Sequence, residues 1–135
     1  MRVYLFDASA IANLVKRGSL KPLSEGVTLD LAAYEALNAV WKECRLRRVD
    51  PETAKSFAEV LKGVFSVIPT ESVRGFEVEV LELALREELT VYDAAYLYVA
   101  VKNRLTLVSD DEKLLKKASR YVRTAKTADL LDRSR

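Results

Sequence analysis

Histidine and glutamine are both absent from this 135-residue chain. Without histidine there is no Ser-His or Cys-His catalysis, no imidazole base and no histidine zinc site. Any catalysis must rest on carboxylates, lysines, tyrosines or a hard metal ion. The single cysteine, Cys44, forbids an intramolecular disulfide, which suits a reducing cytosol. Glycine and proline are scarce and half the residues are hydrophobic, which describes a compact chain; one domain over residues 1–135 is expected. The longest purely apolar run, Ala94–Val101 with its tyrosines, falls far short of the ~20 residues a spanning helix needs, so no membrane association is expected. The first residues lack an apolar core with a cleavage site, so no signal peptide is expected. Missing glutamine and plentiful charge suit a hot environment.

Net charge is also nearly missing, at +2, so no global attraction to a polyanion or membrane follows. The distribution is uneven. Residues 71–93 carry seven acids against Arg74 and Arg86, whereas residues 100–135 carry ten Lys and Arg against five acids. The basic third can help hold a polyanion, or it can be a solvated helix face.

The patterning predicts strands alternating with helices. Val3–Phe6 reads as a strand and Ala8–Arg17 as a helix ended by Gly18. Leu20–Thr28 reads as a connection. Asp30 reads as the N-cap of a helix reaching Arg48, with an apolar stripe of Ala33, Tyr34, Leu37, Val40, Trp41 and Cys44. Asp50-Pro51 opens a helix to Lys62 that stops at Gly63. The β-branched run Val64–Ile68 reads as a strand, Glu71–Glu88 as an acidic helix, and Thr90 as the start of a helix to Asn103. Leu105–Val108 is a strand, Asp111–Ala118 a helix, Tyr121–Arg123 a last strand and Ala125–Leu130 a helical tail. This alternation predicts an α/β fold, a mostly parallel sheet with helices on both faces.

Ligands of open parallel sheets bind beyond the carboxyl ends of the strands. Asp7 follows the first strand, and Asp110 and Asp111 follow Leu105–Val108. Glu35 and Asp93 sit in helices among apolar neighbours. Each has a plain structural reading. Asp7, Asp110 or Asp111 can cap a helix, Asp93 stands three after Thr90 as in a capping box, and Glu35 can be solvated. Taken together they suggest more. Four carboxylates converging at one place resist ionisation, and a hard divalent cation resolves the conflict. Mg²⁺ or Mn²⁺ prefers oxygen ligands and keeps several waters, so it suits a pocket without histidine. Such an ion can activate a water against a phosphorus and neutralise the leaving oxygen, which makes phosphodiester hydrolysis the natural chemistry.

In order and spacing, the strand ending in Asp7-x-Ser9, Glu35 with Asn38 (YEALNAV), Tyr92-Asp93-Ala94-Ala95-Tyr96-Leu97 and LVSDDEKLLKKA resemble a PIN domain. The resemblance covers essentially the whole chain. It is nearest to the small VapC type, the toxin half of a toxin–antitoxin pair. It implies a three-layer fold around the parallel sheet and a Mg²⁺ or Mn²⁺-dependent ribonuclease. Its acidic quartet would be Asp7, Glu35, Asp93 and Asp111, with Asp110 in the variable slot. Ser9, Asn38 and Ser109 would support the quartet. Asp7, Asp93 and Asp111 would hold metal, and Glu35 would hold metal or orient the attacking water. The resemblance also implies structured RNA substrates such as tRNA, a homodimer, a cognate antitoxin peptide over the site and a cytoplasmic location. Lys113, Lys116, Lys117, Arg45 and Arg48 are candidate phosphate contacts. Two other readings remain. A haloacid-dehalogenase-like phosphatase would need an acid where Ser9 stands. A catalytically silent PIN-like binding module would keep the fold without the chemistry.

Overall fold

The computed structural model describes residues 2–133. Five strands form one sheet in the order β3-β2-β1-β4-β5, every neighbouring pair parallel. They are β1 Tyr4–Phe6, β2 Gly26–Leu29, β3 Thr70–Glu71, β4 Thr106–Val108 and β5 Thr124–Ala125. The helices are α1 Ala8–Lys16, α2 Ala32–Arg45, α3 Pro51–Val67, α4 Glu77–Glu87, α5 Val91–Asn103, α6 Glu112–Ala118 and α7 Thr127–Arg133. A 3₁₀ stretch spans Lys21–Glu25. The expected α/β sheet with helices on both faces is therefore present, and it is wholly parallel.

The chain builds outward from β1 to β2 and β3, then returns past β1 to β4 and β5. Parallel crossovers are right-handed, so this reversal puts α1–α3 on one face and α4–α6 on the other. Packing agrees, because α1, α2 and α3 contact each other and α4 contacts α5. Leu5, Phe6, Leu107 and Val108 in the central strands are fully buried. Each such side chain is worth about 1.5–3 kcal/mol. Gly26 lets β2 close on β1, since a Cβ there would lie 2.3 Å from Phe6 Cε2 and 2.8 Å from the Tyr4 carbonyl oxygen. Among the described residues no helix is long and apolar enough to cross a membrane.

Several boundaries differ from the sequence expectation. Leu20–Thr28 is not a plain connection, because its end is β2, the strand beside β1. Asp30 is not a cap, since its N–H donates to the Glu71 carbonyl (3.0 Å) and prolongs the β2–β3 ladder. The helix begins after Leu31 and ends at Arg45 rather than Arg48. Helix α3 runs through Gly63 to Val67, so Val64–Ile68 is not a strand. Buried Leu61, Val64 and Ile68 recur at helical spacing, and their packing outweighs the ~1 kcal/mol a mid-helix glycine costs. Strand β3 is Thr70–Glu71 instead, and α4 starts only at Glu77, after Gly75 turns the chain with φ +91°. The last strand falls just after Tyr121–Arg123, at Thr124–Ala125. The stripe assigned to α2 is also turned. Small Ala32 and Ala36 are buried with Val40, whereas Tyr34, Leu37 and Trp41 are 79%, 47% and 56% exposed.

Candidate functional site

The sheet order reverses between β1 and β4, so a crevice opens beyond the carboxyl ends of these two strands. Asp7 follows β1 and Ser109 follows β4 at this point. Asp7 is the N-cap of α1, and its Oδ1 accepts from the Ala10 N–H (2.9 Å) and from Ser9 Oγ (2.7 Å). Its Oδ2 accepts from fully buried Ser109 Oγ at 2.5 Å. The two hydroxyls are themselves oriented by backbone: the Asp110 N–H donates to Ser9 Oγ (3.2 Å) and the Asp111 N–H to Ser109 Oγ (3.0 Å). Two amides after β4 thus polarise two hydroxyls, and both hydroxyls spend their only protons on Asp7. Three accepted bonds leave lone-pair capacity on this carboxylate for one more partner.

Asp7 is only 6% exposed, and burial pushes its pKa up to about 6 although the three hydrogen bonds oppose this. The charge of Asp93 raises it further. Asp93 lies in the first turn of α5, which Thr90 caps by accepting from the Asp93 N–H (3.1 Å). Thr90 therefore caps the helix, but the reciprocal bond of a capping box, from the Thr90 N–H to the Asp93 carboxylate, is absent among the described residues, and that carboxylate lies in the field of other acids. Burial, then the charge of Asp111, raises its pKa, while Lys113 lowers it. Glu35, in the first turn of α2, is raised by burial and by Asp93, and lowered by a 2.8 Å hydrogen bond donated by Tyr96 Oη. Burial and Glu35 hold the Tyr96 hydroxyl protonated far above its usual range. The structure thus brings Asp93 into the field of Asp7, Glu35 and Asp111. Among the described residues, no three acidic side chains form a ready-made metal cage.

The two candidate aspartates after β4 have separate surroundings. Asp110 turns away from the acids. Its Oδ2 accepts from Asn13 Nδ2 (2.6 Å) and Thr127 Oγ1 (2.7 Å), and its Oδ1 from the Thr127 N–H (3.0 Å). Burial pushes its pKa up, but these bonds outweigh it and hold the pKa below normal. Asp110 is a clasp joining α1 to α7. Asp111 is exposed and caps α6 by accepting from the Lys113 and Leu114 N–H groups (3.0 and 3.2 Å) with Oδ1 alone. Asn38 is exposed and makes no side-chain hydrogen bond among the described residues. The sequence reading missed Tyr96 as the partner of Glu35, although its place three residues after Asp93 shares a helix face with it. It also missed Asn13 and Thr127, which carry no distinguishing sequence signal.

No family model matches the chain. Two curated proteins of Pyrobaculum aerophilum are similar to it. "Exonuclease VapC9" is 40% identical over 116 residues, 84% of each chain. "Ribonuclease VapC3" is 34% identical over 119 residues, 82% of this chain and 91% of the relative. The crystal structure of PAE2754 from the same organism superposes with a TM-score of 0.78 at 38% identity, covering 98% of this chain and 96% of that one. Identity at this level, across nearly the full length of the relatives, leads to one conclusion: the chain belongs to the VapC family.

Proposed function

We propose that the protein is a metal-dependent ribonuclease whose Asp7, Glu35, Asp93 and Asp111 hold Mg²⁺ or Mn²⁺ over the scissile phosphodiester. The observation that carries this is buried Asp7 at the strand crossover, held there by hydrogen bonds from Ser9, Ala10 and Ser109, with the charge of Asp93 acting on it and on Glu35. Mutually repelling carboxylates spread unless a cation holds them, and an oxygen-only donor set suits a hard divalent ion. When bound, that ion would lower the pKa of a water and neutralise charge on the phosphate. Asp7, fixed by Ser9 and Ser109, offers a preoriented oxygen. Glu35, which accepts from Tyr96, would hold the metal or orient the attacking water. Asp111 supplies the fourth acid, because Asp110 is committed to Asn13 and Thr127.

The names of both VapC relatives support nuclease activity, that of VapC3 supports RNA as the substrate, and the toxin role opposed by an antitoxin peptide belongs to the same reading. The outward Tyr34, Leu37 and Trp41 beside Glu35 support a peptide contact there. A homodimer, a tRNA substrate and a cytoplasmic location belong to the same reading. The test is incubation of labelled tRNA and mixed-sequence RNA with Mg²⁺, Mn²⁺ or EDTA, beside Asp93→Asn purified identically. The expected result is metal-dependent cleavage, lost in EDTA and at least about 100-fold weaker in the variant. Equal cleavage by the variant refutes the quartet. Absence of both cleavage and Mn²⁺ binding in the parent favours a silent binding module.

A further inference from the structure

Helix α5 opens on an aromatic ring that the fold does not use. Tyr92 is 61% exposed, and among the described residues its side chain makes no hydrogen bond and no ring contact. The core takes Tyr96 of the same helix and packs Tyr98 against itself, but leaves Tyr92 out. Tyrosine is a poorer helix former than alanine, so an exposed one in the first turn gains nothing for the helix either.

Its position follows from the chain on both sides. Helix α5 leads straight into β4 and so runs against the strands, which puts its N-terminus at the crevice end of the sheet. Tyr92 and Tyr96 stand one turn apart and share a face, with Cβ atoms about 5–6 Å from each other. Tyr96 is the residue whose Oη donates to Glu35 at 2.8 Å. Helical side chains lean toward the helix N-terminus, so the Tyr92 ring lies on the solvent side of the Glu35–Tyr96 bond, at the mouth of the crevice.

We infer that Tyr92 is a shelf on which one unpaired nucleobase stacks, beside the phosphodiester that enters the crevice. The inference rests on the nuclease reading and adds what that site takes: a strand with an unpaired base next to the bond to be cut. A strand that brings a phosphate to the crevice carries bases on either side of it, at a repeat of about 3.4 Å. Stacking needs only one free π-face, and every base has one. An apolar peptide anchor instead fills a pocket ringed by other side chains, which a lone exposed ring does not offer. Inside a duplex both faces of a base are covered by its neighbours, so the shelf selects a single strand or a loop.

The test is the affinity of a labelled single-stranded RNA of about 12 nucleotides, read by anisotropy in EDTA, where no cleavage is expected. An abasic ribose-phosphate strand of the same length is the second probe. The parent, Tyr92→Phe and Tyr92→Ala are compared, each with a melting curve. Tyr92→Phe should bind the RNA as the parent does, and Tyr92→Ala about 5- to 100-fold more weakly. All three should bind the abasic strand alike, and Tyr92→Ala should melt no lower than the parent. Undiminished RNA binding by Tyr92→Ala, or an equal loss in Tyr92→Phe, overturns the shelf. So does a loss that persists on the abasic strand, a parent without affinity for the RNA, or a Tyr92→Ala that melts well below the parent. Metal-dependent cleavage by the parent is scored separately, so the shelf can fail while the nuclease reading stands.

Discussion

Asp7 is the residue on which the site turns. It is buried, it accepts three hydrogen bonds, and burial still pushes its pKa up to about 6. A raised carboxylate pKa stabilises the fold fully below the unfolded value near 3.8, and that stability is lost as pH rises through about 6. At pH 8, without metal, ionised Asp7 thus costs about 3 kcal/mol relative to its protonated form. Asp7→Asn keeps the shape and removes the charge. Melting curves in EDTA should show it more stable than the parent at pH 8 by roughly 5–10 °C, with the gap closing toward pH 4. A less stable Asp7→Asn at pH 8 would contradict the burial account. Tyr96 acts one step back from the chemistry. Tyr96→Phe leaves Glu35 partly buried without its donor, so cleavage should fall about 10- to 100-fold with little change in fold. Unaltered turnover would show that Glu35 needs no such support.

At the scale of elements, the sequence exposed the centre and hid the edges. Asp7 after an apolar run and Ser109-Asp110-Asp111 after another were legible, because a strand handing over to a helix announces itself by a change of period. Strand β2 was hidden because Pro22 and Gly26 look like a turn. Gly26 is instead demanded by the contact with Phe6, a long-range fact no local pattern carries. The β-branched Val64–Ile68 has strand character locally, but tertiary packing of Leu61, Val64 and Ile68 keeps it helical. The α2 stripe was legible only in part: Val40 is buried as expected, but hydrophobicity alone favours the exposed Tyr34 and Trp41 over the small, buried Ala32 and Ala36. Adjacent Asp110 and Asp111 are indistinguishable as letters and separated only by Asn13 and Thr127, which arrive from two other elements. Asp110→Ala therefore removes the clasp on α7. It should lower stability by about 1–3 kcal/mol in urea titrations while leaving the acids in place, so cleavage per folded molecule should persist. Complete loss of cleavage in a folded Asp110→Ala would move this residue into the catalytic set. Gly26→Ala should be more damaging, since β1 and β2 must part, and should mainly reduce the yield of folded protein.

Over the whole molecule, the sheet reversal sets Asp7, just after β1, in the field of Asp93 on α5, which also acts on Glu35 of α2 and feels Asp111, the cap of α6. Burial and mutual repulsion raise Asp7, Glu35 and Asp93 together. The metal-free fold is thereby weakened at neutral and alkaline pH. A cation that binds only the folded state should reverse this, adding about 2.7 kcal/mol at one hundred times its Kd. The most direct measurement is a calorimetric Mn²⁺ titration at pH 8 of the parent, Asp111→Asn and Asp110→Asn. The account predicts binding by the parent, retention in Asp110→Asn and at least about tenfold weaker binding in Asp111→Asn. Equal binding by the parent and Asp111→Asn, or no heat of binding from the parent, would contradict it.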